Sequence, residues 1–131
     1  MSEQEQNIEQ VKKGFEAFTA GDGETLMSLW DDNIEWVQPG DSAISGTYHG
    51  KGELGQYLSR LAEKSATITP RRFLADGDAV VVLSEVTAGG ETSQAVNVFI
   101  LRDGKTVRVE AYGDTAAAER IFGKKQVATG Q

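Results

Sequence analysis

The chain has no cysteine, one histidine and only two prolines in 131 residues. Without cysteine there is no disulfide framework, no thiol nucleophile and no thiolate metal site. The lone His49 excludes any site built on two imidazoles. No apolar run reaches the roughly 20 residues that cross a bilayer, so no membrane partner is expected. The opening segment MSEQEQNIEQ is polar and acidic, unlike a secretory leader, and points to the cytoplasm. Positive charge is in deficit, with 13 Lys and Arg against 20 Asp and Glu and a net charge of -7. Nucleic acid needs clustered cations, and the pairs Lys12-Lys13, Arg71-Arg72 and Lys124-Lys125 read instead as solvated surface. No spacing among Asp, Glu and His suits a metal, and no glycine-rich strand-to-helix turn suits a nucleotide, so neither metal nor cofactor is expected.

What is present is an ordinary globular composition, 39% hydrophobic and 25% charged, at a length that fits one domain over 1–131. Ile8, Val11, Phe15 and Phe18 recur at helical spacing and predict a helix from about Glu5 to Ala20. Gly21 can end it, and Asp22 can cap a second short helix whose apolar face is Leu26, Leu29 and Trp30. Asp31-Asp32-Asn33 reads as a turn, followed by a strand from Ile34 to Gln38 that Pro39-Gly40 stops. Residues 41–50 read as loop with one brief strand, Gly46-Thr47-Tyr48-His49. Leu54, Tyr57, Leu58 and Leu61 then mark a third helix.

After Lys64 the pattern becomes β. Thr67 to Leu74, Ala79 to Ala88, Thr92 to Arg102 and Thr106 to Tyr112 are four strands, separated by Asp76-Gly77-Asp78, Gly89-Gly90 and Asp103-Gly104. Such tight links make neighbouring strands antiparallel. Asp114-Thr115 starts a last short helix that Gly123 ends. The core is thus expected over about 5–122, with 123–131 a frayed tail. Helices first and a meander afterwards give an α+β fold with segregated layers. Val96, Val98 and Ile100 oppose Asn97, Phe99 and Leu101, so both sheet faces carry apolar residues; a homodimer is expected through the face the helices leave uncovered.

The helix-GD-helix-DD-strand opening, the loop Gly46-Thr47-Tyr48-His49-Gly50, the DGD and DGK turns and the closing Tyr112-Gly113-Asp114 together resemble the nuclear transport factor 2-like superfamily. Within it the chain looks most like the SnoaL-like and ketosteroid-isomerase-like branch, over roughly Glu5 to Phe122. The resemblance implies a cone-shaped, curved, mainly antiparallel (mixed) sheet with three N-terminal helices closing an apolar pocket, often in a dimer.

Catalytic positions carry over only one at a time. The resemblance puts a general-base Asp of the isomerases at Val37, their oxyanion-hole Tyr at Gly14 and their protonated oxyanion-hole Asp at Asn97; that enzyme is the standard case of a carboxylic acid kept neutral by an apolar site. Epoxide hydrolases of this fold match Glu35, Val37 and Ala111 at their catalytic positions. With those residues replaced, steroid isomerisation and that form of epoxide hydrolysis are not expected.

Three residues remain as candidate catalytic groups. Asn97 interrupts the apolar strand AVNVFIL and needs a partner, either a neighbouring side chain or a ligand carbonyl or oxyanion. Glu35 faces water if Ile34 and Trp36 face the core, but the resemblance turns 35 and 37 inward, where a carboxylate could act as base. Asp114 either caps the final helix or stands as an acid at the pocket rim. Phe15, Phe18, Trp30, Val37, Tyr57, Phe99 and Ala111 are the expected pocket lining; Tyr57 is either a ligand donor or a core aromatic. Tyr112 is expected at a subunit interface and His49 on the surface. Two functions follow: a cofactor-independent isomerase, hydrolase or cyclase acting on a small apolar carbonyl or polyketide-like compound, or a binding or scaffold domain without turnover. A cone packed solid by its own side chains is the third outcome.

Overall fold

A computed structural model describes residues 2–125. Helix α1, Glu3–Ala20, begins with a reciprocal cap in which Ser2 accepts from the Glu5 N–H and Glu5 reaches back to Ser2. This satisfies backbone donors that a helix start otherwise leaves unpaired. Val11 and Phe15 are buried on its inner stripe. Gly21 ends it in the left-handed conformation (φ 71°), which only glycine adopts without steric cost. Asp22 then caps α2, Gly23–Ser28, and its bonds to Thr25 hold its carboxyl below the usual carboxylate range.

Strand β1 runs Trp30–Gln38, β2 Gly46–His49, and helix α3 Gly50–Glu63 lies between β2 and the meander β3 Thr67–Asp76, β4 Ala79–Ala88, β5 Glu91–Arg102 and β6 Lys105–Gly113. Helix α4, Thr115–Phe122, follows. The six strands form one curved mixed sheet in the order β2-β1-β6-β5-β4-β3, open at both edges, with only β1 and β6 parallel. The consecutive antiparallel pairing of β3 to β6 is that expected from the two-residue turns.

Three expectations need correction. Trp30 opens β1 instead of closing α2, because it already pairs with Thr106. Asp31-Asp32-Asn33 is not a turn ahead of the strand but an irregular stretch inside it. The register moves five residues along β1 for two along β6, and Asp31 Oδ2 accepts from the Asn33 N–H at 2.8 Å, an Asx-type local bond that absorbs the surplus. The tail is anchored where it begins: Lys124 bridges Ser42, and the Lys125 N–H donates to the Asp41 carbonyl at 2.7 Å. Residues 126–131 lie outside the described residues.

Helices α1 to α3 cover one face of the sheet, where Ile34, Val80, Val82 and Val109 are fully buried. On the other face Leu74, Val81, Leu83, Val96, Val98 and Ile100 are only partly covered or exposed. Among the described residues no helix is long and apolar enough to cross a membrane.

Candidate functional site

Between the helices and the inner face of the sheet lies a cavity of about 160 Å³. Alternation along each strand decides which side chains reach it. On β1 the buried residues are Trp30 and, past the irregular stretch, Ile34 and Trp36, so the inward set continues to Gln38. Val37 and Glu35 point the other way. This corrects the pocket assignment of Val37 and the catalytic assignment of Glu35: a one-residue difference in register exchanges the two faces of a strand. Glu35 is ion-paired with Arg108 and lies 3.5 Å from His49 Nδ1, all partly exposed on the outer face. The inward position directly before Pro39 is therefore Gln38, not Val37.

Phe15, Phe18, Trp30, Tyr57, Phe99 and Ala111 all border the cavity, as do Asn97 and Asp114. Its aromatic wall is continuous. The ring centroids of Trp36 and Tyr57 lie 5.5 Å apart, those of Trp36 and Phe99 6.4 Å, and those of Phe99 and Phe15 5.8 Å, the last two pairs edge-to-face. Gly14 borders it from α1, leaving free the space that a larger side chain would occupy. Helix α4, unlike the three-helix closure expected, contributes a further wall through Ala117, Ala118, Ile121 and Phe122.

Apart from Asp114, the polar groups of the wall are neutral. The Tyr57 hydroxyl donates to Gln38 Oε1 at 2.8 Å. Burial pushes the Tyr57 phenol far above its ordinary value, with Tyr48 adding to the rise. The Trp36 indole N–H faces the same hydroxyl closely enough to pull slightly the other way, yet it is buried and completes no hydrogen bond. A buried donor in that condition costs roughly 1–3 kcal/mol. Asn97 makes no side-chain hydrogen bond to the described residues and is half-buried on the cavity side of β5.

Asp114 is the one carboxylate on the cavity wall among the described residues, and its Oδ1 accepts from the Ala117 N–H at 2.9 Å as the cap of α4. Tyr112 borders the mouth but turns its hydroxyl onto Glu110 Oε1 at 3.1 Å; that bond holds its phenol above the ordinary range. His49 is exposed on the opposite face. The arrangement can polarise an acceptor oxygen with neutral N–H donors; the one candidate base is Asp114, whose Oδ1 is engaged in the cap while Oδ2 makes no hydrogen bond to the described residues.

Gln38 was missed as a site residue. It follows from extending the Ile34–Trp36 alternation two residues to the proline.

A model of the SnoaL-like domain matches residues 11–109. No curated sequence matches the chain. Bal32a, from a soil-derived mobile gene cassette, is 28% identical over 92% of this chain and 99% of its own, with a TM-score of 0.87. An NTF2-like protein from Burkholderia xenovorans LB400 is also 28% identical, over 91% and 97%, with a TM-score of 0.74. TerC, co-crystallised with polyporic acid, is 29% identical over 89% of this chain and 98% of its own, with a TM-score of 0.78.

Proposed function

The chain belongs to the SnoaL-like domain family, and on that premise we propose that it binds one compact, largely apolar aromatic molecule in the cavity between helices and sheet. The observation that carries this reading is the cavity itself. At about 160 Å³ and walled by Phe15, Trp36, Tyr57 and Phe99, it has the volume at which an apolar protein cavity accepts a benzene-sized guest. TerC, a similar protein, was co-crystallised with polyporic acid, which supports a small-molecule ligand for this chain as well. Binding is favoured over turnover because, apart from Asp114, which caps α4, the wall offers neutral amides and an indole N–H where an acid–base enzyme needs a titrating group.

Thermal shift with indane, indole and naphthalene, against glucose and adenosine monophosphate as controls, tests the reading. A ligand at 100 times its Kd stabilises by about 2.7 kcal/mol through mass action, so a rise in Tm with the aromatic set alone is expected. No rise with any aromatic compound at its solubility limit rejects it.

Asp114 favours a second reading, cofactor-free proton transfer on a carbonyl compound held in the same cavity, because it is a carboxylate on the wall. The partly exposed apolar stripe on the outer sheet face, Val81, Leu83, Val96 and Val98, supports a homodimer through that face. Sedimentation showing only monomer at micromolar concentration argues against it.

A further inference from the structure

We infer that the cavity continues past its aromatic section into a narrow, closed arm beside Gly14, which takes an unbranched alkyl substituent carried by the aromatic guest. The inference rests on the cavity being a ligand site and names a second part of the guest.

The length of the cavity follows from register. Four cross-strand pairs of β5 and β6 face inward: Ala95–Gly113, Asn97–Ala111, Phe99–Val109 and Leu101–Thr106. Strict alternation from Val109 would turn Thr106 outward. Val107 is an extra, bulged residue on β6, and it returns Thr106 to the inner face beside Leu101, where both are buried. Residues of the first pair and of the last both border the cavity. Along β5 those pairs are separated by about 20 Å, at roughly 3.4 Å per residue. A round cavity of about 160 Å³ would be only about 7 Å across, about one interval between inward residues of a strand. The space is therefore long and thin.

Its two ends differ. Gly113, Asp114 and Thr115 are exposed at one end. The other is closed by the buried residues Leu26, Trp30 and Thr106 and by Gln10, whose Nε2 donates to the Gly104 carbonyl at 2.8 Å and ties α1 to the β5–β6 turn. Gln10, Gly14 and Phe18 follow one another at i, i+4 and i+8 on the cavity side of α1. The missing side chain at 14 thus leaves a gap between an aromatic ring and the amide that closes the end. Leu26 and Leu29 wall the gap, their Cδ1 atoms 3.7 and 3.8 Å from where a Cβ would stand.

The lining sets what the arm accepts. Val11, Leu26, Leu29 and Trp30 are apolar, and the Gln10 amide is engaged with Gly104 and with Lys13, whose Nζ donates to its Oε1 at 3.5 Å. Among the described residues no Lys or Arg borders the cavity, and its one carboxylate, Asp114, stands at the opposite end. A charged chain end would be buried there without a counter-charge, whereas methylene groups lose nothing by leaving water. The thinness of the space excludes branching, because extra methyl groups in a filled space force strain.

The test titrates the full-length protein by NMR with toluene, ethylbenzene, n-propylbenzene, n-butylbenzene, n-pentylbenzene and tert-butylbenzene. Affinity is expected to rise about fourfold per methylene group, the value for one buried CH₂, and to level off once the arm is full. n-Butylbenzene should bind at least about fivefold more tightly than its isomer tert-butylbenzene, the low end of the cost of overpacking. Gly14→Ala and Gly14→Leu should shorten the series, costing n-pentylbenzene more affinity than toluene; the alanine variant carries the test if the leucine variant does not fold. Equal affinity across the n-alkyl series, or of the two butyl isomers, overturns the arm and leaves the cavity reading intact. A series unchanged in Gly14→Ala overturns its placement beside Gly14. Binding of none of the alkylbenzenes overturns the cavity reading and the arm with it.

Discussion

Tyr57 on α3 gives its hydroxyl proton to Gln38 Oε1 on β1 across 2.8 Å, joining a helix of the cover to a strand of the sheet at the cavity wall. Because the phenol is buried, its proton is held far more firmly than in the unfolded chain, where a tyrosine ionises near 10. The sign of the linkage follows. Below pH 10 both states keep the proton and the contribution is fully present. Above it the unfolded chain loses a proton that the folded chain retains, so stability falls as pH rises, by about 1.4 kcal/mol per unit. Tyr57→Phe should lower stability at pH 7 by about 1–2 kcal/mol, having left Gln38 Oε1 unpaired. The same variant should show a shallower loss between pH 10 and 12. Urea midpoints measured across that range check it; parallel slopes would mean that Tyr57 is exposed in solution.

Gly14 offers a test of the cavity's size. It lies inside α1, where glycine costs roughly 0.5–1 kcal/mol relative to alanine. An added Cβ would meet Leu26 Cδ1 at 3.7 Å and Leu29 Cδ1 at 3.8 Å, ordinary contact distances. Gly14→Ala should therefore raise stability by that amount while weakening indane binding, since the new methyl group occupies cavity space. Chemical denaturation and a titration on the same sample separate the two effects.

Most of the architecture was legible because local chemistry and tertiary placement agreed. The Asp-Gly and Gly-Gly turns fixed the ends of β3 to β6 to within one or two residues, and Gly21 and Asp22 marked the corner between α1 and α2. Where the reading erred, tertiary pairing overrode a local signal. Asp31-Asp32-Asn33 has turn composition and does make an Asx bond, but β6 is alongside and draws it into β1. The site was less legible for a sharper reason. The family pattern suggested 35 and 37 as inward, the apolar alternation suggested 34 and 36, and only the second agrees with the burial of Ile34 and Trp36. Gln38 lay one step further along that same alternation. The α4 wall could not be read at all, since its position depends on the chain's return past residues 41–43.

Asp114 separates binding from catalysis. Asn caps a helix about as well as Asp, whereas Ala costs about 1 kcal/mol. Asp114→Asn should therefore keep the Tm, and Asp114→Ala should lower it, with both retaining indanone affinity within about twofold if the role of Asp114 is the cap it makes to the Ala117 N–H. Any carbonyl-compound turnover that survives in Asp114→Ala excludes the second reading; turnover lost in Asp114→Asn at unchanged stability favours it.

The most direct measurement is a methyl-resolved NMR titration of the protein with indane. Leu26, Leu58 and Leu61 border the cavity, whereas Leu74 and Leu83 lie on the far face of the sheet. Saturable shifts are expected in the first set and not in the second. Shifts confined to Leu74 and Leu83, or no saturable shift in either set, contradict a guest held between the helices and the sheet.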